Sequence, residues 1–581
     1  MDTARKSECR DRRKRILEHV WMLLLAVGLF LYYFSNLKNI NIVWELPDEA
    51  GYLYNAACLA GKDWSSYTSA VGKAYYGYGY SIVLIPLFFI CKTGVELVKS
   101  AILLNYFFVI CSYFLQNYIF AKLFKRNKYI IACTCFVVNL FPYMIVSANK
   151  VICETYLSLQ VWVIAALIFK LLDKNKKRYY ILTGAFTGYI YMVHTRAIAV
   201  IVVVCALLIV YSYIKKERKS IFIFLFSFLV IWAIGQAGKN YLINIMNQGD
   251  SSGSTEVANL ISVNFMIQRL GWLFHIKSIG PYIVSACCRF FYIIASTGLM
   301  VFWALKYILN QFPRRSTKII EWETSHWMLI YFGMVFFIMF AMCCVSGSGV
   351  SSDFAYTFYG RYIEYVLSPL VGIGILSYLN IDKHETSYMF ALIILMGVMT
   401  GLEINYLETD NIRADTARMA GFSFWILKNR NYISFVYSQT LLLVISYLIL
   451  IIAQREKIKY IIFIFVSVLF LANNKECIKI INGVNRGKSS EIEISNYISK
   501  RMVSRDIYYI NIGYQYIWDY ARMQVLLPDE SLNVINVESD MYLLEDAFII
   551  AYSDTEIVDK LSEYYRLVLS TETYCLFASN E

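Results

Sequence analysis

Two adjacent carboxylates, Asp48 and Glu49, follow the first long apolar segment of the chain. They lie where a spanning helix would have just left the bilayer. A carboxylate at such a junction can take a proton from a hydroxyl group, which is general-base chemistry at a membrane surface. The alternative interpretation is a helix start, because Pro47 followed by acidic residues favours a first helical turn. Both interpretations can hold, and on a helix Tyr52 shares a face with Asp48.

The composition requires a membrane. The 581 residues are 58% hydrophobic and 17% charged, with a mean hydropathy of +0.51. A soluble protein of this length would expose too much apolar surface, so lipid must solvate most of the chain. The net charge of +12 falls in short connections between apolar segments, which is typical of positive-inside loops and excludes a nucleic-acid signal.

The hydropathy pattern predicts a polytopic α-helical membrane protein with about 13 transmembrane helices, each needing about 20 apolar residues. The predicted spans lie near 16–38, 99–121, 129–147, 152–171, 179–193, 197–214, 220–243, 286–310, 326–345, 362–379, 388–403, 432–453 and 459–473. The first segment has no small-residue cleavage site after it and is predicted to be retained. The segment 80–90 is short and carries Pro86, so we interpret it as juxtamembrane or re-entrant.

If segment 80–90 does not cross the membrane, every basic connection between the predicted spans lies on the same side of the membrane. The positive-inside rule makes that side cytoplasmic, and the N-terminus lies on it. The regions then expected outside are the first loop 39–98, the turns 148–152 and 194–196, the loops 244–285, 346–361 and 404–431, and the C-terminal tail.

The composition changes after about residue 474, where polar residues rise and apolar runs shorten. Strands are predicted at 507–512, 532–537, 547–552 and 574–578, and helices at 491–503 and 555–569. We therefore divide the chain into a membrane domain, 1–473, and a small extracytoplasmic α/β domain, 474–581, of about 100 residues. The second domain has no phosphate-binding loop, so covering the site or binding an acceptor suits it better than catalysis.

Further candidate residues lie on the same predicted side. Tyr75 and Tyr76 belong to a run of aromatics and glycines that suits either the membrane interface or the face of a sugar. Glu154 begins an otherwise apolar helix, where an acidic residue is costly unless it caps the helix or binds something. Lys150 beside it could meet a phosphate.

Two arginines also stand at predicted outer helix ends. His194-Thr195-Arg196 separates two apolar segments, and Arg196 could snorkel to the interface or bind a lipid phosphate. Arg361 follows Tyr359 and has Glu364 three residues on, so an intrahelical ion pair competes with phosphate binding there.

The sequence shows no cluster of side chains that assures a metal ion, and a divalent metal is left open. The 14 cysteines have no metal-ligand spacing. Pairs such as Cys287-Cys288 and Cys343-Cys344 lie in apolar runs and are most simply interpreted as small buried hydrophobic residues.

The order of these residues resembles the GT-C superfamily of membrane glycosyltransferases, and within it the branch of protein O-mannosyltransferases and lipid A aminoarabinose transferases. The resemblance covers roughly residues 10–380. The segments that carry it are Pro47-Asp48-Glu49 with Tyr52, Gly61-Lys62-Asp63-Trp64, the Tyr-rich run to Pro86, Glu154, Gly184 to Gly188 leading to His194-Thr195-Arg196, and Tyr359-Gly360-Arg361-Tyr362 with Pro369.

The resemblance implies an enzyme that transfers a sugar from a polyprenyl-phosphate-linked donor to an acceptor hydroxyl on the extracytoplasmic face, with inversion, in building or modifying the cell envelope. It implies that Asp48 is the general base and that Glu49 orients substrate or assists. Three cations are then expected at the donor phosphate, and six residues at the substrates. The cations are Lys150, Arg196 and Arg361, and the substrate residues are Tyr52, Tyr75, Tyr76, Glu154, His194 and Tyr359.

Two other classes of protein remain as alternatives. A polysaccharide polymerase or O-antigen ligase depends on a large outer loop in the second half of the membrane domain, whereas here the chemistry lies in the first loop. A transporter of lipid-linked glycans predicts ionisable residues inside the spans and helices broken at the bilayer centre. The acceptor, whether glycan, lipid or protein, and the identity of the sugar are not given by the sequence.

Overall fold

A computed structural model gives the fold of the chain. The residues it describes are 2–44, 47–72, 76–248, 271, 276–311, 322–347, 358–380, 387–406, 419–422, 432–455, 458–486, 489–501, 505–511, 517–536, 544–553 and 556–579.

Helices make up the membrane part. They are α1 Asp2–Leu37, α2 Asp48–Leu59, α3 Ser66–Val71, α4 Tyr78–Leu84, α5 Leu87–Ile90, α6 Gly94–Leu123, α7 Lys128–Val138, α8 Pro142–Ala148, α9 Glu154–Lys174, α10 Lys177–Val193, α11 Ile198–Ile214, α12 Arg218–Gln248, α13 Ile276–Ser296, α14 Met300–Gln311, α15 Thr324–Gly347, α16 Arg361–Glu364, α17 Leu367–Asn380, α18 Ser387–Tyr406, α19 Tyr432–Arg455 and α20 Ile461–Arg486. Short 3₁₀ turns lie at Thr195–Ala197 and Ala420–Phe422.

The polytopic helical architecture predicted from the sequence is confirmed. Among the described residues, nine helices are long and apolar enough to cross a membrane, and the bent pair α7 and α8 could make a tenth. Three shorter apolar helical segments, Tyr78–Ile90, Leu367–Asn380 and Met389–Glu403, accompany them. The first of these includes the predicted juxtamembrane segment, which forms α4 and α5 on either side of a turn at Pro86.

Two predicted spans are not single helices. The span predicted at 286–310 is interrupted after Ser296, because Gly298 and Leu299 have φ of 56° and 69°. The span predicted at 129–147 bends by 61° between α7 and α8. There Asn139 is the C-cap of α7, and its side-chain amide donates to Gln116 Oε1 at 2.6 Å, which stabilises the bend within the core.

The C-terminal region is a small α/β unit, as predicted. It contains α21 Ser489–Arg501, β1 Asp506–Asn511, α22 Ile517–Leu526, β2 Leu532–Asn536, β3 Ala547–Tyr552, α23 Glu556–Tyr564, β4 Tyr565–Ser570 and β5 Tyr574–Ser579. The sheet order is β2-β1-β3-β5-β4, with β1 parallel to both neighbours and β5 antiparallel to both of its own.

One element of this unit was predicted wrongly. The helix expected over 555–569 ends at Tyr564, and the chain turns directly into edge strand β4, since pairing with β5 outweighs the local helical spacing. The composition change near 474 lies inside α20, which continues to Arg486. The division into domains at that residue stays a prediction.

The sheet unit docks on the first loop. The Trp64 indole N–H donates to the Pro528 carbonyl at 3.1 Å, and the Lys62 ammonium lies 2.5 Å from Asp529 Oδ1. The Tyr67 ring packs between those of Tyr54 and Tyr520, at centroid distances of 4.9 and 6.4 Å. The C-terminal unit therefore covers the loop that follows Asp48 and Glu49.

We expect Trp64→Ala to loosen this contact, because Trp64 is almost completely buried and its loss leaves a cavity costing about 3–5 kcal/mol. In purified protein, trypsin should cleave after Lys62 faster and the thermal unfolding midpoint should fall. Trp64→Phe, which loses the hydrogen bond but keeps the ring, should cost about 1 kcal/mol. Trp21→Ala on the more exposed α1 is the control. Equal behaviour of the Trp64→Ala and Trp21→Ala proteins would contradict the docking role.

Candidate functional site

The acidic pair opens α2. Pro47 occupies the N-cap position, and Asp48 and Glu49 form the first turn, so the helix-start interpretation is confirmed. Their environments differ. The Asp48 side chain is 25% exposed, whereas Glu49 is buried at 1%. Of the two, Asp48 is the carboxylate that a substrate can approach.

Glu49 binds backbone amides. Its Oε1 accepts from the Trp44 N–H and its Oε2 from the Val151 N–H, both at 2.7 Å. The carboxylate therefore fixes the chain entering α2 to the turn entering α9. This geometry suits the assisting role rather than proton transfer, because both oxygens already accept hydrogen bonds.

Glu154 joins two arginines from distant parts of the chain. At the first position of α9, its Oε1 accepts from Arg196 Nη2 at 2.7 Å and from Arg361 Nε at 2.8 Å. All three side chains are buried, with Glu154 at 0% and Arg196 at 3% exposure. A charge in such surroundings needs this pairing, because desolvation of an unpaired ion costs several kcal/mol.

Arg361 also reaches the acidic pair of the first loop. Its Nη2 lies 2.6 Å from Asp48 Oδ2, so one guanidinium bridges Asp48 and Glu154. Glu364, the partner that i,i+3 spacing suggested, instead accepts from the Tyr292 hydroxyl through Oε1. Two carboxylates from other helices thus hold the Arg361 side chain.

Arg196 does not snorkel to the interface. Its guanidinium lies 4.5 Å from the centre of the Tyr362 ring. Its Nε and Nη1 are buried without a hydrogen-bond partner, and so is Glu154 Oε2. Because unpaired buried donors are costly, these two guanidinium nitrogens mark a place where an anion would bind favourably.

His194 supports Arg196. Its Nδ1 accepts from the Arg196 backbone N–H at 3.2 Å. Burial, helped by the Arg196 charge, holds the pKa of His194 well below its usual range, so the imidazole is neutral at pH 7. A neutral ring is what this hydrogen bond requires, since Nδ1 must carry a lone pair.

Lys150 lies beside the Glu49 contacts. It is buried at 1%, and its ammonium lies 4.0 Å from the centre of the Trp44 ring. Arg196 and Arg361 therefore share the Glu154 carboxylate. Lys150 forms a cation–π contact with Trp44, the residue whose backbone N–H donates to Glu49.

The predicted tyrosines fall into two groups, one in the first loop and α2, the other before α16. Tyr52 packs on Tyr76 with ring centroids 5.5 Å apart, and its hydroxyl donates to Cys153 Sγ at 2.9 Å. Burial and the Asp48 charge raise the pKa of Tyr76, which places its phenol in the field of that carboxylate. Tyr359 packs against the ring of Tyr362 at 4.5 Å. Tyr75 lies outside the described residues.

Sequence reasoning missed four side chains of this site. Trp44 and Tyr362 face the cations Lys150 and Arg196, while Tyr292 binds Glu364. Tyr143 is buried with an unpartnered hydroxyl in α8. Tyr143 and Tyr292 lie in apolar runs, where a single tyrosine gives no functional signal. Over the ranges that the structure describes, no group of three or more His, Cys, Asp or Glu side chains is arranged to hold a metal ion.

The helix array and its small sheet define a polytopic α-helical membrane protein with a C-terminal α/β unit. No protein-family model matches the sequence, and no curated protein matches it significantly. Among solved structures, ArnT from Cupriavidus metallidurans in the apo state is similar at a TM-score of 0.50 and 11% identity, over 96% of this chain and 98% of that one. ArnT bound to undecaprenyl phosphate is similar at a TM-score of 0.51 and 12% identity, over the same shares.

An oligosaccharyltransferase from Archaeoglobus fulgidus, tethered with an acceptor peptide, is similar at a TM-score of 0.39 and 11% identity, over 97% of this chain and 74% of that one. At these identities, the ArnT comparisons establish fold. They confirm the architecture that the resemblance to GT-C transferases predicted.

The shared carboxylate should dominate local stability. We expect Glu154→Gln to destabilise the protein by about 3–5 kcal/mol, because the buried Arg196 then loses its counter-charge and Arg361 keeps only Asp48. Asp529→Asn is the control, since it breaks a half-exposed pair worth about 0–1 kcal/mol. Thermal unfolding in detergent measures both. A Glu154→Gln protein as stable as the control would show that Glu154 does not hold the site together.

Proposed function

We propose that the chain is an integral-membrane glycosyltransferase that transfers a sugar from a polyprenyl-phosphate-linked donor to an acceptor hydroxyl, with inversion. The observation that carries the proposal is the bridge of Arg361 between Asp48 and Glu154, with Arg196 on the same Glu154 oxygen. It sets a partly exposed carboxylate beside two cations at the ends of apolar helices. Such an arrangement suits a base and a leaving phosphate that must meet at the membrane surface.

The fold supports the donor class. A structure of ArnT, which has a similar fold, contains undecaprenyl phosphate. In this chain the unpartnered N–H groups of Arg196 and the guanidinium of Arg361 would bind the donor phosphate. Arginine suits this task because its planar fork can donate two parallel hydrogen bonds to phosphate oxygens.

The reaction follows as a single displacement. Asp48 takes the proton from the acceptor hydroxyl as that oxygen attacks the anomeric carbon of the sugar. The bond from the anomeric carbon to the phosphate oxygen breaks, and its electron pair leaves with the phosphate. Arg196 and Arg361 stabilise the charge that grows there, while Glu49 keeps the start of α2 in place.

We place this site on the extracytoplasmic face, with the N-terminus cytoplasmic and the sheet unit over the first loop. Basic connections between the apolar segments support this orientation. The grouping of Asp48, Glu154, Arg196 and Arg361 supports one common side for the loops that carry them. The role in the cell would be assembly or modification of an envelope glycan, glycolipid or glycoprotein.

A second candidate is a transporter of lipid-linked glycans. It is favoured by Arg289, which is buried within the apolar helix α13, and by the breaks between α7 and α8 and between α13 and α14. Intramembrane charges and broken helices are common at transport sites. A transporter would move the lipid-linked sugar between leaflets without cleaving it, so release of polyprenyl phosphate distinguishes the two functions.

Asp48→Asn should abolish transfer while the protein stays folded, with a loss of about 100-fold or more in kcat, because the amide cannot accept the proton. The assay follows consumption of a polyprenyl-phosphate sugar and release of polyprenyl phosphate in nanodiscs. Asp63→Asn, an exposed carboxylate of the same loop, is the control. Full activity of the Asp48→Asn protein would refute the base assignment.

Arg196→Ala should weaken donor use by about 10- to 100-fold in kcat/KM, because one charged hydrogen-bond donor to the phosphate is lost. Arg178→Ala, at an exposed arginine of α10, should leave it unchanged. Steady-state kinetics with varied donor measures both. If Arg196→Ala behaves like Arg178→Ala in a folded protein, Arg196 is a structural anchor.

A further inference from the structure

The site of the proposed function shares one cation between two anions. Arg361 Nη2 lies 2.6 Å from Asp48 Oδ2, and its Nε lies 2.8 Å from Glu154 Oε1. The Arg361 side chain is 8% exposed and Asp48 is 25% exposed, so the more open side of the bridge is the Asp48 side. Glu154 holds the guanidinium from the buried side.

The four charged groups balance. Asp48 and Glu154 supply two negative charges, and Arg196 and Arg361 supply two positive ones. Because Arg196 keeps two unpartnered donors while Arg361 is engaged by two carboxylates, the arginines are not equivalent toward an incoming anion. An anion can contact Arg196 without displacing a partner, but it must compete with Asp48 for Arg361.

We propose that Arg361 is a counter-ion shared by the general base and the leaving phosphate, and that it couples proton transfer at Asp48 to cleavage of the donor. This inference rests on the proposed function and assigns Arg361 a role in positioning Asp48 beyond binding phosphate.

Charge balance gives the coupling its direction. The donor phosphate is a diester with one negative charge, and the released monoester carries nearly two at pH 7. As Asp48 takes the acceptor proton it becomes neutral and loses its hold on Arg361. The same step places the additional negative charge on the departing phosphate. Arg361 therefore passes from one anion to the other while the net charge of the buried site stays constant.

The shared ion has a second consequence before reaction. While Arg361 is paired with Asp48, its guanidinium occupies the Oδ2 side of the carboxylate that the acceptor hydroxyl would approach. Donor phosphate drawn to Arg196 competes for Arg361 and releases Asp48. The base is thus released for transfer only when the donor is in place.

The test is binding of a short-chain polyprenyl monophosphate, measured by titration calorimetry in detergent. Asp48→Asn should bind it about 5-fold more tightly than wild type, because the phosphate no longer competes with a carboxylate for Arg361. In an Arg361→Ala background the same substitution should give no gain. Asp63→Asn is the charge-matched control and should leave affinity unchanged. If Asp48→Asn fails to fold, Asp48→Ser tests the same competition.

Two results would overturn the proposal that Asp48 and the phosphate share Arg361. One is unchanged or weaker phosphate binding by a folded Asp48→Asn protein. The other is an equal gain with and without Arg361, which would indicate simple removal of repulsion. Either result, with sugar transfer intact in wild type, leaves the proposed function standing. Failure of wild type to bind the monophosphate or to consume any donor would instead refute the proposed function.

Kinetics supply an independent readout. A shared ion predicts that the losses in kcat from Asp48→Asn and Arg361→Ala are strongly non-additive, the double variant being little worse than the poorer single one. Independent base and phosphate ligands predict losses that multiply. A purely structural Arg361 predicts parallel losses in thermal stability, with no dependence on residue 48.

Discussion

The buried carboxylate of Glu154 is the interaction on which the rest of the site depends. Two guanidiniums cannot lie side by side in a water-poor interior without a counter-charge, because both their desolvation and their mutual repulsion oppose it. Glu154 Oε1 accepts from both, which lets the chain bring Arg196 and Arg361 to the start of α9. The contact of Arg361 with Asp48 follows from that placement.

The placement of Arg361 by Glu154 also explains why the adjacent acids Asp48 and Glu49 have different surroundings. Glu49 is committed to the Trp44 and Val151 amides and cannot move without breaking two hydrogen bonds. Asp48 has the Arg361 side chain as its partner and part of its surface open to solvent. Neighbouring residues of the same chemical class thus have different surroundings, because Glu49 is fixed by backbone amides while Asp48 is partly open and paired with an arginine from far along the chain.

The sequence was sufficient to place Asp48, Glu154, Arg196 and Arg361 together, because each stands at the end of an apolar segment and parity assigns those ends to one side. Their pairing was not predictable. The i,i+3 spacing favoured Glu364 as the partner of Arg361. In the structure Arg361 instead contacts Glu154, which lies 207 residues away in the sequence, and only the packing of the helices brings the two side chains together. The breaks in two predicted spans were missed for a similar reason. Hydropathy measures how apolar a segment is, whereas the turn at Gly298 and Leu299 depends on backbone conformation. Strand β4 was missed because its pairing with β5, rather than its own residues, determines its conformation.

The docking of the sheet unit on the first loop has a consequence for biosynthesis. Lys62 and Asp529 are separated by 467 residues, so the first loop waits roughly 20 to 90 seconds of translation before its cover exists. During that interval Trp64 and Tyr67 lack the surface that later buries them. The newly inserted helices can assemble around Glu154 long before the wall beside Asp48 is closed. Closure of the first loop beneath the sheet unit is therefore a late event in the life of the nascent chain.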